Sequence, residues 1–459
     1  MKFCVAVWIV LAMSLTANAG WAQSTNNGDG LGTLLAALGS SAPREAADSP
    51  LTLDEAERIA LANNPDVAVA TQRVAMTRAH VPIVGALDDA TAMYRAWGVP
   101  LKKPWDYNAA QNMFSLSQTF SGGNKRALRT NVANADVDQA KANLEAARLD
   151  VTVRVRKAFF DLLLTQDETR IHEQHVGIAQ QAIEAARIKY SVGSVPQQDV
   201  LRAQVAMTQL AEHSIHFDRD AEVARARLNT LLGRRPDAPL AVEGEHAVLS
   251  ALPSLDALEA LAMASRPDLA AAQSAAERSH REQALAKTAY APDFTISAGY
   301  MLMPSGQDFR NNYMIEGAMN LPWLNRKKHD AEIAEARVKA TEQDAEVQAL
   351  RNTVRGQIAE ALLEAQASQK LARLYHGQLR PQAEATLQAS VIAYENNKTG
   401  FLDLLDSQMR VIDLDLSWMQ AVGEFDARLA DLEMVTGAPV DKLQGANQVA
   451  KPAANQEVK

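Results

Sequence analysis

Residues 291–303 read Ala-Pro-Asp-Phe-Thr-Ile-Ser-Ala-Gly-Tyr-Met-Leu-Met, APDFTISAGYMLM. Phe294, Ile296, Ala298, Tyr300 and Leu302 fall on one side of a period of two, and Asp293, Thr295, Ser297 and Gly299 on the other, the pattern of an amphipathic β-strand. A second such segment follows at about 312–323, where Tyr313, Ile315, Met319, Leu321 and Trp323 oppose Asn312, Glu316 and Asn320. Both lie in a chain whose remaining pattern is helical. The fold turns on what a mainly helical protein does with such strands.

The chain says the same thing twice. LDEAERIALANNPDV at 53–67 returns without a gap as LDALEALAMASRPDL at 255–269, and YSVGSVPQQDVLRAQ at 190–204 returns as YENNKTGFLDLLDSQ at 394–408. Tyr190/Tyr394, Asp199/Asp403, Leu201/Leu405, Leu228/Leu432 and Gly233/Gly437 stay in register. The spacing is far longer than the ~20 to 50 residues of a solenoid unit, so a half-protein is duplicated: a first repeat over 51–240 and a second over 241–440. Strands of the first repeat are expected at about 107–120, where Phe114, Leu116 and Phe120 alternate with Ser115, Ser117 and Thr119, and, more weakly patterned, within 81–98.

A basic turn follows each strand pair, Gly122-Gly123-Asn124-Lys125-Arg126 and Asn325-Arg326-Lys327-Lys328, and each opens a long helical hairpin, 124–233 and 326–437. From 126 to 189 there is no proline and a single glycine, Gly177; at 1.5 Å per residue the run reaches roughly 95 Å. Leu128, Val132, Ala135, Ala142, Ala146, Leu149, Val153, Phe160 and Leu163 mark one coiled-coil seam, and Leu144, Val151, Val155, Ala158 and Leu162 a second on another face. The second half has a matching seam in Ala336, Ala340, Val347, Leu350, Val354, Ile358 and Ala361. Two seams mean two neighbours, which suits a helix in the wall of a cylinder, and the alanines permit close approach.

The 459 residues carry a formal net charge of −9, which does not fit a basic nucleic-acid binder. Lys2, the apolar run after it and Ala17-Asn18-Ala19 have the form of a signal peptide, expected to span 1–22. Cleavage there removes Cys4, the only cysteine, and with it disulfide, thiol and cysteine-ligand chemistry. A flexible segment is expected over 23–50 and a disordered tail over 441–459. After the signal no run reaches the ~18 apolar residues of a spanning helix, so a membrane crossing would need strands. Four strands cannot close, since the smallest membrane barrels have ~8, and an open edge in lipid leaves backbone groups unpaired. Either the strands decorate a soluble protein or several chains pool them; three chains supply twelve.

These features together resemble the TolC-type outer-membrane efflux channels: the LTLDEAERIALANNPDV opening at 51–67, the basic turns, the paired Tyr-x8-Asp-Val/Leu-Leu turns and the duplication. The resemblance implies an α+β, mainly α chain. It gives four membrane strands to a 12-stranded barrel shared by a homotrimer, and its long helices to a periplasmic α-helical barrel. It further implies an outer-membrane location, a passive export duct, and partnership with outer-membrane lipid, a periplasmic adaptor protein and an inner-membrane pump. On this reading the apolar face of 291–303 meets lipid and its Thr/Ser/Gly face lines a watery lumen, with Tyr300 and Trp323 at the interfaces or, alternatively, in an ordinary core.

The resemblance also implies a constriction at the helical turns. Its ring aspartates fall on Asp403 and Asp406, one turn apart, and three-fold repetition of these like charges favours cations there. A gate hydrogen bond would join Tyr394 to Asp199. Where an arginine can tie the turns together, this chain has Lys398-Thr399, with Gln198 as counterpart. The competing role for Asp199 and Asp403 is helix capping or first-turn dipole pairing.

SLSQTFSGGNKRALR and MNLPWLNRKKHDAEIAEA look most like the heavy-metal cation branch of the family. Type I secretion and drug efflux on the same fold are the alternatives, and an exported structural coiled coil without a pore is the alternative of another class. Neither a metal site nor a cofactor is expected: His172-x-x-His175 and His213-x-x-His216 each place two imidazoles on one helical face but read as solvated histidines. No enzyme is expected either, because there is no P-loop or nucleophile elbow and the glycines of GDGLGTLLAALG at 28–39 follow no strand.

Overall fold

Prolines and short polar residues set the repeated helix starts. In the computed structural model, which describes residues 50–247, 252–304, 311–396 and 398–438 with the side chain of residue 182 excepted, helix α1 (Leu53–Asn63) gives way to α2 (Pro65–Gly85) at an extended Asn64. The second repeat does the same with α5 (Leu255–Ser265), an extended Arg266 and α6 (Pro267–Ala286). A residue before proline avoids the α region, and proline fits the first helical position. Asn64 Oδ1 accepts the Asp66 N–H at 2.8 Å, and Ser254 Oγ accepts the Ala257 N–H at 3.4 Å. The expected signal peptide, flexible lead and tail lie outside the described residues.

The remaining elements are β1 (Thr91–Trp97), β2 (Gln111–Phe120), α3 (Lys125–Ser191), α4 (Gln197–Leu231), β3 (Phe294–Leu302), β4 (Asn311–Met319), α7 (Arg326–Leu374), α8 (Arg380–Glu395) and α9 (Phe401–Thr436). The chain packs as two compact units. One takes 81–132 and 280–338; the other takes 50–80, 133–279 and 339 onward. Neither coincides with a repeat, because each draws on both halves.

The first unit holds one antiparallel sheet in the order β1-β2-β3-β4. The strands are shorter than the sequence pattern suggests. Residues 81–85 continue α2 rather than starting a strand, because β1 begins only where β2 offers a partner, at Thr91↔Ser117. At the other edge Phe294↔Met319 is the last pair. Leu321 and Trp323 therefore leave the sheet, and Pro322, which has no N–H to donate, opens a 3₁₀ turn at Pro322–Asn325. Asp293 ties the base of β3 to the basic turn, accepting the Gly122 N–H at 2.9 Å and pairing with Lys125 Nζ at 2.8 Å.

In the second unit the repeats build matching cores. Ala56, Ala60 and Val67 pack with Val151, Val155, Phe159 and Leu162; Leu258, Ala262 and Leu269 pack with Val354, Ile358, Leu362 and Ala365. The helical hairpins differ in one respect. α3 runs unbroken for 67 residues, whereas α7 yields to a π-helical turn at Tyr375–Leu379 before Pro381, with the Arg380 N–H reaching back to the Tyr375 carbonyl. Without an N–H on Pro381 the ordinary ladder cannot continue, and an i→i+5 bond takes up the slack.

Charged groups buried in this unit are paired. Arg156 bridges Glu57 of the first repeat and Glu433 of the second. His246 lies between Asp426, at 2.5 Å, and Asp167, at 3.1 Å, and Asp426 also accepts the Ala247 N–H. Burial pulls the His246 imidazole down, but its hydrogen bond to Asp426 and the two negative charges outweigh that and hold it above its usual range.

Two outcomes follow. Because the His246 value is raised on folding, its stabilisation is complete below the ordinary imidazole range near pH 6.5 and is lost as pH rises through the folded value. Thermal melts followed as a function of pH should show that loss in the parent protein and lack it in His246→Gln. The helix-ending glycines Gly233 and Gly437 both have φ of 71°. Alanine at either should cost roughly 1 kcal/mol of left-handed strain. At Gly437 its Cβ also meets the Arg266 backbone at 2.7 Å, against only a 3.5 Å side-chain contact at Gly233. Denaturation midpoints should therefore fall further for Gly437→Ala than for Gly233→Ala.

Candidate functional site

Both helical turns end in the same way. Pro196 caps α4 and Gly400 caps α9, each in extended backbone, which places Asp199 and Asp403 at the third position of their helices. Carboxylates are favoured in a first turn, where backbone N–H groups point outward. Asp403 accepts a hydrogen bond from Thr399, so the residue that stands in place of the arginine holds its own turn together. Asp403 and Asp406 are both exposed, one helical turn apart on α9.

The sequence pairs Tyr394 with Asp199 through a hydrogen bond; the structure corrects this. Both residues are buried, at 6% and 8% exposure, but the Tyr394 hydroxyl has no hydrogen-bond partner. Asp199 instead faces Arg202 at 4.0 Å. Burial first, and the Asp199 charge second, raise the Tyr394 phenol above its usual range. The two groups therefore feel each other without a bond.

Lys189 takes over the tie. Its Nζ donates to the Tyr394 carbonyl at 2.8 Å and stands 4.0 Å from the Tyr394 ring centroid, a cation–π geometry. The ring also packs edge-on against Phe401, with Ala186 and Ala203 completing the cluster. Sequence reasoning missed Lys189. The signal was a break in the duplication: Ile188-Lys189-Tyr190 aligns with Ile392-Ala393-Tyr394, so the lysine is present in one copy only.

The repeat mates have opposite environments. Tyr190 is 43% exposed and Asp403 is exposed, whereas Tyr394 and Asp199 are buried. The histidines also divide. His213 and His216 are exposed as expected. His172 and His175 are not solvated: α3 turns them inward, where His172 Nε2 bonds the Leu210 carbonyl and Ser214 Oγ, both at 2.9 Å, and His175 Nε2 bonds Asp415 at 3.1 Å. Burial holds His172 below the usual imidazole range. Among the described residues no cluster of three or more His, Cys, Asp or Glu side chains is arranged to hold a metal ion.

The sheet forms the second part of the site. Register places Tyr94, Phe114, Tyr300 and Tyr313 in one row across all four strands, with Phe120 and Phe294 paired six residues away. Between the rows Leu116, Ile296 and Ile315 are 57%, 54% and 84% exposed. Two aromatic levels around an apolar band form the outer surface expected of a membrane barrel. β3 and β4, at nine residues each, have the ~9–11 residues of a spanning strand. No helix among the described residues is long and apolar enough to cross a membrane.

The sequence profile of the family "Outer membrane efflux protein" matches residues 58–234 and 258–438, one block in each repeat. The chain belongs to that family. It is 23% identical over 397 residues to the cobalt-zinc-cadmium resistance protein CzcC of Cupriavidus metallidurans, covering 86% of this chain and 92% of that protein. It is 25% identical over 410 residues to nodulation protein T of Rhizobium leguminosarum bv. trifolii, covering 85% of each. Among solved structures, the open state of the Neisseria gonorrhoeae MtrE outer membrane channel superposes with a TM-score of 0.69 at 18% identity, over 84% of this chain and 89% of that one. The fold is thus that of the outer-membrane efflux channels, and the relatives are channels rather than enzymes. The four strands of one chain do not themselves close a barrel.

The unbonded Tyr394 hydroxyl yields a test. Tyr394→Phe should shift stability by less than about 0.5 kcal/mol, since no hydrogen bond is lost, while Tyr394→Ala should cost roughly 3 kcal/mol or more through the emptied ring site. Thermal unfolding of the detergent-solubilised protein separates the two; a loss near 1 kcal/mol in the phenylalanine variant, about the worth of one hydrogen bond, would restore the bond to Asp199.

Proposed function

We propose that three copies of this chain form an export duct through the outer membrane, closed at its periplasmic end by the helical turns. The observation that carries this reading is the open sheet. β1 and β4 each have a strand on one side only, and the apolar face beside them is exposed. In lipid those edges must pair. β1 and β4 run antiparallel to one another, so β4 of one copy against β1 of the next continues the alternation, and three copies give twelve strands.

The turns support the same assembly. If 51–240 and 241–440 are equivalent halves of one ring, the contact that buries Tyr394 and Asp199 within a chain recurs between chains, bringing the exposed Tyr190 of one copy to Asp403 of another. The Asp403 and Asp406 carboxylates then ring the axis as a cation-favouring constriction, with Tyr394 and Asp199 holding the turns by burial and charge. The exported class that the relatives favour is heavy-metal cations, through the similarity to CzcC. A periplasmic adaptor protein and an inner-membrane pump complete the system and supply the energy, because the duct has no catalytic chemistry of its own.

The protein should run as a detergent-stable trimer, and in a Cys4→Ser background Tyr190→Cys with Asp403→Cys should cross-link copies into a ladder ending at three. In planar bilayers, replacing Asp403 and Asp406 with alanine should raise single-channel conductance or weaken block by multivalent cations several-fold. A soluble monomer, or unchanged conductance and block, would count against the duct and its constriction respectively.

A further inference from the structure

The sheet has a second face, polar in Thr295, Ser297, Gly299, Ser115 and Ser117, and every strand places a methionine on it. These are Met93 on β1, Met113 on β2, Met301 on β3 and Met314 on β4. Register connects all four. Met113 and Met301 are direct partners. Met93 lies two residues from Arg95, the partner of Met113, and Met314 lies two residues from Asn312, the partner of Met301. Direct cross-strand partners have Cβ atoms about 5 Å apart and diagonal ones about 7–8 Å. Methionine has three rotatable bonds, so the four sulfurs are within reach of a common point. Between Met93 and Met314 the row contains only Ser115 and Gly299, side chains too small to separate them.

Ordinary apolar packing does not account for this set. The apolar residues of the sheet are on the opposite face, and Met93 is 43% exposed among polar neighbours. The sulfurs already act as acceptors: Gln111 Nε2 donates to Met301 Sδ at 2.7 Å and Arg95 Nη2 to Met93 Sδ at 3.5 Å. A thioether is a weak hydrogen-bond acceptor but a good ligand for a soft cation, while harder divalent ions prefer nitrogen and oxygen. Four neutral thioethers suit a soft monovalent ion best.

We propose that Met93, Met113, Met301 and Met314 form a thioether site for a soft monovalent cation, Ag(I) or Cu(I). Its position on the lumen wall rests on the duct reading above; the binding itself does not. Arg95 works against the cation by charge, so its neutralisation tightens the site.

The test uses the full chain with Cys4→Ser, purified in detergent and titrated with silver nitrate in chloride-free buffer. Calorimetry should show one saturable silver site per chain, and X-ray absorption at the silver edge should show sulfur neighbours. Met113→Leu with Met301→Leu, a swap that conserves volume, should weaken binding at least tenfold. Arg95→Gln should strengthen it several-fold, and Met76→Leu on exposed α2 should leave it unchanged. Equal silver affinity in the double variant, an equal loss in Met76→Leu, or a shell of nitrogen and oxygen alone would overturn the site. Bilayer currents separate the two readings. Silver should block the parent channel and not the double variant. A conducting channel indifferent to silver that still binds through sulfur would remove the site from the lumen, and sulfur-bound silver in a protein that never conducts would leave the site standing and the duct reading lost.

Discussion

Backbone hydrogen bonding at the sheet edges is the constraint on which the rest depends. Four strands supply three ladders and leave two edges, and nothing within the described sheet covers them: the pairing order is an open β1-β2-β3-β4. In water such edges are a hazard of uncontrolled association. In a bilayer they are untenable, since each unpaired amide or carbonyl costs several kcal/mol there. The exposed row of Tyr94, Phe114, Tyr300 and Tyr313 has the same logic: the side chains that make the sheet unsuitable for water suit it to an interface between lipid and water. Edge and face both require surroundings that one chain does not provide.

The helical unit meets the opposite difficulty, that of holding long helices in register with small side chains. Alanines allow close approach but bury little area each, so polar groups add specificity. Arg156 joins Glu57 and Glu433, drawn from different repeats, and His246 joins Asp167 and Asp426 in the same way. Buried charges of this kind are costly to leave single. Their partners lie on several helices, so displacing one helix strands a charge on another.

Duplication gives the halves one plan, and small departures from it assign different roles. Lys189 has no counterpart opposite Ala393, so only one turn gains a cation against a tyrosine carbonyl and ring. Pro381 has no counterpart in α3, and only the second hairpin carries the π-helical turn. The Tyr394 and Tyr190 environments diverge for a further reason: within a single chain one hairpin is flanked by its mate, and the other presents the equivalent surface outward.

The sequence by itself determined the duplication, the four strands, the long helices with two seams, and the family, because these rest on periodicity and on proline, glycine and basic-turn signals local to each segment. Phe294 to Leu302 alternates visibly, and Asn64-Pro65 and Arg266-Pro267 announce their helix breaks without reference to anything distant. Tertiary structure decided the strand ends, set by where β2 and β3 offer partners rather than by where alternation stops. It also decided that His172 and His175 are buried, that Lys189 holds the Tyr394 turn, and that the Tyr394 hydroxyl stands near Asp199 without bonding it. Those outcomes depend on distances between groups remote in sequence, and a pattern of residue types along one strand or helix does not encode a separation of a few tenths of an ångström from a neighbour in the other half of the chain.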